Sequence, residues 1–575
     1  MACTSEPGLR LARRLLPLCL LVEILAASPV WAQAENVPAT HPVYPFLKRL
    51  EVRGLIGRYF DHVLPLSRRE VARLLEEAEG RRGELTGVEA EYLEDLRSEF
   101  RFDRTGSLEG VEILLGESGG GSPDPWTRRE RFLWAGADST ASFFANGLLD
   151  LDARTSRESG SGFRNAAFVQ FGARARGTIG ERLGYFLEAT NAQFWGSREL
   201  LGEDPAVRQS YALGTMDAQN FDFTEGYLRY DGGPVSVQAG RERVMWGSGY
   251  DQKMTLSDNV RVFDFLRGDA RFGVFRYTFL HAWLLGRRET LAFSLPPDSS
   301  TVFTEPVVAD KYFAGHRAEI SLPGVLDAGA QEMVIYSNRA PDMAYLNPLV
   351  LIESAQRSRE ERDNVFWAFD VQVHAVRGLE AAFVMLMDDI HLADFFSDEW
   401  RNRYGYQAGI MLADPLTPAD MSVALEYTRI EPWVFAHNRS RENDYGSMGR
   451  GLGPRIGPNA DSWFLRLDWQ PRRNLFSQAV VFHIREGENI LDAQGNLIRN
   501  VGGDPLQPHR ETDPPNKRFL DGMLVKTLRL EFSVSWEPVH QVWCSLRYGY
   551  ERRRNTLRET TSASHLLRMG LRAEL

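Results

Sequence analysis

Cysteine is nearly absent. The 575-residue chain has three, and two of them, Cys3 and Cys19, lie in the first twenty residues. That opening region has the anatomy of a secretory leader. Arg10, Arg13 and Arg14 precede a mostly apolar run from Leu15 to Ala27, and Val30-Trp31-Ala32 ends in the small residue that signal peptidase needs. Leu18 stands before Cys19 where a lipoprotein signal calls for a small residue. Removing residues 1–32, with Ala34 as the alternative last residue removed, leaves Cys544 alone, so no disulfide framework can form within one chain. Long apolar runs are missing too. No stretch after the leader approaches the ~20 apolar residues of a transmembrane helix, and the mean hydropathy is −0.33. Positive charge is in deficit: the formal net charge is −11, which argues against nucleic acid as a partner. There is no H-E-x-x-H or C-x-x-C, and no repeat at the ~40–50-residue period of a propeller. These absences leave a soluble exported protein or a transmembrane β-barrel, whose strands are only half apolar.

What is present falls into two regions with different periods. Residues 36–103 read as helical. Ser67-Arg68-Arg69-Glu70 and Thr86-Gly87-Val88-Glu89 have the spacing of capping boxes, and Leu74, Leu75 and Ala78 share one helix face. A Gly/Pro-rich stretch, GESGGGSPDPW at 116–126, reads as linker. From about residue 140 the period becomes 2. Leu528, Leu530, Phe532, Val534 and Trp536 alternate with Thr527, Arg529, Glu531, Ser533 and Ser535, and Leu567, Met569 and Leu571 alternate with Arg568 and Gly570. Marking every such run gives 18 candidate strands, among them 141–153, 268–277, 280–295 and 563–575, with long and short connections in alternation. Short turns at one end, long loops at the other and an even strand number are the marks of an outer-membrane barrel. The expected fold is mostly β: an 18-stranded antiparallel transmembrane β-barrel at 136–575, a periplasmic α-helical segment at 36–110, a linker at 111–135 and a signal peptide at 1–32.

Several motifs do not carry the chemistry they suggest. Gly116-Glu117-Ser118-Gly119-Gly120 fits G-x-S-x-G, but the prolines after it forbid the helix a nucleophile elbow needs. Gly449 to Gly453 is glycine-rich, yet Pro454 and Pro458 mark a loop, not a dinucleotide fold. Asp388-Asp389-Ile390-His391 has metal-ligand residue types, but an exposed acidic loop edge explains it as well. No catalytic set and no cofactor is expected. The stretch AGRERVMWGSGYDQKMTLSDN, residues 239–259, leads back to strand and not to the helix that a phosphate cradle requires. It reads as a long loop in which Trp246 joins an aromatic girdle, packs inside the lumen, or shares in glycan binding.

The chain resembles the capsule assembly Wzi family of outer-membrane barrels. The resemblance rests on Gly240-Arg241, Trp246-Gly247-Ser248-Gly249, His316-Arg317-Ala318-Glu319, Ala344-Tyr345-Leu346-Asn347-Pro348, Asp370, Asp388-Asp389, Glu426-Tyr427-Thr428-Arg429 and Gly451-Leu452-Gly453. It implies a non-enzymatic surface lectin that anchors or organises capsular polysaccharide or exopolysaccharide. Its partners would be outer-membrane lipid, surface polysaccharide and periplasmic export components. The residues projected to the external end and able to meet a sugar are Trp246, Tyr250, Asp388, Asp389, His391, Trp400, Tyr404, Trp433, His437 and Tyr445. Two other functions share the same wall. One is a diffusion porin, lined by inward residues of both signs such as Arg174, Arg176, Arg529, Glu531 and Arg547. The other is an outer-membrane hydrolase, for which no Ser/His/Asp set converges.

Overall fold

The computed structural model describes residues 33–115, 126–200, 220–260, 262–294, 302–358, 363–389, 397–416, 420–437 and 441–575. The expected signal peptide and the middle of the linker lie outside them, as does His391. Eighteen long antiparallel strands close into one barrel, each paired with its neighbours in chain order. They are β1 Ser142–Glu158, β2 Phe163–Ile179, β3 Leu183–Gly196, β4 Asn220–Asp231, β5 Val235–Glu242 and β6 Phe263–Phe272. Then follow β7 Phe275–Ser294, β8 Val302–Leu322, β9 Leu326–Ser337, β10 Asn364–Val376, β11 Leu379–Asp389 and β12 Arg403–Ala413. The wall ends with β13 Met421–Ile430, β14 Ala460–Arg472, β15 Leu475–Glu488, β16 Met523–Val539, β17 Val542–Asn555 and β18 Thr560–Glu574. Closure is direct: β18 pairs with β1, Leu571 opposite Leu151. A short strand, Trp134–Ala137, also pairs onto β1. No described helix is long and apolar enough to cross a membrane.

The period-2 reading places these strands well, with two corrections. The expected turn near 278–279 is at Gly273-Val274, where Gly273 takes a φ of +58°. Phe279, Leu280, Ala282, Trp283 and Leu284 are apolar on both faces, so alternation gives no boundary there. The strict alternation of loop lengths also fails at the seam. The β1–β2 and β17–β18 connections shrink to 159–162 and 556–559, because these strands run longer than their apolar cores.

The helical reading holds for α1 Val43–Val52, α2 Arg68–Glu79, α3 Gly87–Glu99 and α4 Arg101–Thr105. Thr86 and Glu89 form a reciprocal capping box. The expected box at Ser67 is half made. Ser67 accepts from the Glu70 amide at 3.3 Å, but the Glu70 carboxylate turns to Arg73 and to Arg271 of the wall. The helices bury an apolar core of their own, with Leu47, Leu50, Val71, Leu74, Leu75 and Leu93 near zero exposure. The unit seats on the end of the barrel that carries the short turns. Arg49 reaches Asp414 (2.6 Å) in the β12–β13 turn, and Arg128 bridges Asp95 (2.6 Å) and Glu537 (2.9 Å).

Residues 338–358, with a short helix α5 Ile352–Ser358, fold back over the outer face of the wall. Tyr345 and Ile352 cover the outward side chains Tyr312, Val334 and Tyr336. Leu349 is left 85% exposed on the outside of this strap.

Candidate functional site

The lumen is closed by a plug made of three segments. After Glu242 the chain turns inward, and Met245-Trp246 pairs with Leu64-Val63 from the N-terminal unit. Trp246 has no exposure; its ring lies edge-on to Phe313 at 6.0 Å. The glycines of the opening stretch serve this reversal. Gly247 and Gly249 take φ of +98° and +132°, and a Cβ on Gly249 would stand 2.5 Å from the Gln252 carbonyl. The 431–459 loop supplies the third segment. Tyr445 sits between Phe366 (4.6 Å) and Phe435 (5.2 Å), and its hydroxyl donates to the Thr255 carbonyl at 3.1 Å. Together with Met254, Leu256, Met333 and Leu386 these residues form one dry core inside the barrel.

Predicted site residues divide between plug and cap. Trp246, Tyr250, Trp433 and Tyr445 are buried, so their rings pack protein. Tyr250 donates to Glu380 (3.0 Å), while the Tyr250 amide donates to Glu426 (2.7 Å). Asp388 accepts from the Phe435 amide at 2.6 Å and ties the 431–459 loop down. Asp389 ends β11, where its backbone stands opposite Arg403 in the ladder. His437 is half-buried at the edge of its described stretch. The residues that keep surface are at the long-loop end. Trp400 is half-buried and stacks on His509, centroids 3.9 Å apart and planes 2° apart. Trp433 lies edge-on to the same imidazole at 5.1 Å. Lys517 stands 4.6 Å over the Tyr404 ring and 3.1 Å from Glu431. Burial pushes the Lys517 ammonium down, against the pull of Glu431. This aromatic and polar cluster caps the plug. His509 and Lys517 were not singled out in the sequence, because their loop, 489–522, has no period to read.

The remaining motif residues hold the wall. Arg317 is fully buried on the inner face, with both Nη atoms on Asp370 (2.5 and 2.8 Å) and Nε on Glu319 (2.7 Å). Gly329 makes room for it, since a Cβ there would lie 2.1 Å from the guanidinium. His316, one residue before, points outward and pairs with Glu332 at 3.0 Å. Glu332 in turn accepts from the amides of Ile352 (2.9 Å) and Glu353 (2.8 Å) in the strap. Pro348 accepts from the Tyr277 hydroxyl, and Asn347 folds its side chain onto the Leu349 amide. Arg241 pairs with Asp264 (2.6 Å) on the outer rim, and Tyr427 with Asp461 (3.0 Å).

Between the helices and the opposite wall lies a cavity of about 1100 Å³. Its wall side carries Arg174, Arg547, Arg568, Asp150 and Asp152. Arg174 is neutralised by Glu188 (2.8 Å) and Glu574 (3.0 Å), Arg176 by Glu35 (2.9 Å) and Arg529 by Glu551 (2.7 Å). At its floor Lys48 meets Glu380 (2.7 Å), Glu51 (2.9 Å) and Asp61 (3.1 Å). Burial opposes the Lys48 charge, but Asp61, Glu380 and Glu51 outweigh it and hold the pKa well above the ordinary value. Glu51, Asp327 and His374 bring ligand atoms within 4.8 Å of one another here, with the Lys48 ammonium beside them. At the rim His540 is held between Glu130 (2.6 Å) and Glu537 (3.0 Å).

The sequence matches a family model described as capsule assembly protein Wzi over residues 149–566. No curated protein matches the chain by sequence. Among solved structures the fold is similar to Wzi of Escherichia coli, described as an outer membrane protein involved in group 1 capsule assembly and a carbohydrate binding β-barrel. That match has a TM-score of 0.54 and 13% identity, and it covers 93% of this chain and 99% of the other. Pseudomonas aeruginosa OccK1 (OpdK) matches at a TM-score of 0.40 and 11% identity, over 75% of this chain and 98% of that one.

Proposed function

The chain belongs to the capsule assembly Wzi family of outer-membrane barrels, and from that premise we propose that it binds and organises surface polysaccharide at the long-loop end. The observation that carries this reading is the plug across the lumen. A wall that encloses a dry core of Trp246, Phe313, Met333 and Tyr445 is built as a scaffold for its cap. The cap offers what sugar rings bind: the Trp400 face, the Tyr404–Lys517 pair, and the polar groups of the 489–522 loop. Trp433, Tyr445 and Asp388 act as supports that fix the cap. The role is non-catalytic. In this orientation the helical unit faces the periplasm, where we infer that it docks export components.

A porin role is the second reading, favoured by the charged cavity beside the plug. Single-channel conductance of the folded protein in a planar bilayer separates the two. A silent barrel that retains polysaccharide on the cell surface, and loses retention in Trp400→Ala with Tyr404→Ala, supports the lectin reading. Lasting current steps would move the assignment to a channel. Deleting residues 36–110 tests the docking role: unchanged capsule retention would remove it.

A further inference from the structure

From β13 to β17 the register lines up outward side chains level by level, and the levels differ in chemistry. Leu425, Leu465, Val481 and Leu530 form an apolar row. One pleat nearer the long-loop end, Tyr427, Trp463, His483, Leu528 and Arg552 stand side by side. One pleat further, the row reads Arg429, Asp461, Arg485, Lys526 and Arg554. Arg429 is neutralised by Glu431 at 2.6 Å, and Arg485 by Asp461. Lys526 and Arg554 are direct cross-strand partners, both exposed, and Arg552 is exposed one pleat below. Among the described residues none of these three has a carboxylate within ion-pair distance. Like charges directly opposite destabilise a ladder, and side chains that merely reach for water need not converge in this way.

The level of this patch is informative. Trp536, outward near the short-turn end, is ten residues down β16 from Lys526. At ~3.3 Å per residue and a tilt of about 40° that is roughly 25 Å, the height of an outer-membrane barrel's apolar band. Lys526, Arg552 and Arg554 therefore sit at the headgroup level of the outer leaflet, with Leu530, Phe532, Tyr548 and Tyr550 outward beneath them. The β17–β18 turn above is only 556–559, so no long loop covers the patch from that side.

We propose that Lys526, Arg552 and Arg554 bind the phosphate groups of a phosphorylated glycolipid of the outer leaflet, whose acyl chains lie on Leu530, Phe532 and Tyr548. An anion between Lys526 and Arg554 turns an unfavourable cross-strand pair into a favourable one. The guanidinium forks suit phosphate oxygens geometrically. The site is separate from the sugar-facing cap and uses the outside of the wall.

The test uses the full chain, folded in detergent, with a bisphosphorylated diglucosamine lipid and its dephosphorylated form as probes, read by native mass spectrometry. The triple variant Lys526→Gln, Arg552→Gln, Arg554→Gln is expected to bind the phosphorylated lipid about tenfold more weakly or worse. Lys526→Gln alone serves as the milder variant, and Arg182→Gln at the opposite end, the same kind of charge change, should be without effect. Millimolar inorganic phosphate should not displace the lipid. Wild-type binding by the triple variant, or equal binding of the dephosphorylated lipid, overturns the proposal. Displacement by inorganic phosphate also overturns it, by showing a site for the free anion.

Discussion

The lumen beside β6 to β14 holds a packed apolar core, whereas a charged cavity of about 1100 Å³ lies mainly beside β15 to β18 and β1 to β3 and reaches Gln372, Met411, Ser422 and Arg466 across the lumen. One wall makes both, and the connections decide which. The long loops 243–262 and 431–459 carry Trp246, Met254, Phe435 and Tyr445 inward, and strands β7, β9 and β10 answer with Leu280, Met333 and Phe366. The hairpins 159–162 and 556–559 are too short to enter the lumen, and the inward positions below them are Asp150, Asp152, Arg547 and Arg568. A barrel of this width must either fill its interior or hydrate it, and this one does each on one side. The difference teaches that the filled side bears the stability and the hydrated side tolerates change.

The largest expected effect is in the filled half. Arg317→Ala strands Asp370 and Glu319 in a site with no exposure, and should cost about 3–5 kcal/mol, seen as an earlier guanidinium midpoint in detergent. Its counterpart in the hydrated half, Arg174→Ala, leaves carboxylates that water can reach and should cost about 1 kcal/mol or less. Equal losses would break the comparison. Trp246→Ala comes next, at about 3 kcal/mol for the cavity it leaves. It also frees the strand pairing of 245–246 with 63–64, so limited proteolysis between 243 and 262 should speed up.

Legibility followed the same divide. In β16 to β18 one face meets lipid and the other water, so period 2 is clean and the strand positions are readable from sequence. In β7 the inward Leu280, Ala282 and Leu284 face the plug while the outward Phe279 and Trp283 are apolar as well, so alternation does not mark the strand there and the Gly273 turn is missed. The site was legible only in part for a related reason. Trp246 and Tyr445 announce themselves as aromatic loop residues, but residue type does not say whether a loop folds inward or stays at the surface. The partners that decide it, Val63, Phe313 and Phe366, are distant in sequence. His316 and Arg317 show the limit sharply: adjacent residues of one motif serve opposite faces, one the strap and one the lumen.

A smaller effect tests the rim of the hydrated half by pH. Burial pushes the His540 imidazole down, but Glu130 and Glu537 outweigh it and raise its pKa to about 10 from an ordinary 6.5. The folded state therefore holds this proton more tightly than the unfolded one. The stabilisation is full below about pH 6.5 and is lost as pH rises through 10. His540→Gln should cost about 1–2 kcal/mol at neutral pH and flatten the stability profile between those values. A profile as steep as the wild type's would show that the linker is held by something else.

The smallest effect is the most diagnostic. Arg547 faces the cavity with no carboxylate at ion-pair distance among the described residues, and its neighbour Arg568 is committed to Asp152. Arg547 and Arg568 are like charges directly opposite each other across the ladder, so removing one should not destabilise the barrel. Arg547→Gln is expected within about ±0.5 kcal/mol of the wild type in the guanidinium titration. The same substitution type at Arg317 is expected to fail severely, although both arginines point inward from the same kind of strand. If Arg547→Gln were as damaging as Arg317→Ala, the cavity would be a second packed core rather than a hydrated one. The lumen would then be filled throughout, and the porin reading would lose the one feature that favours it.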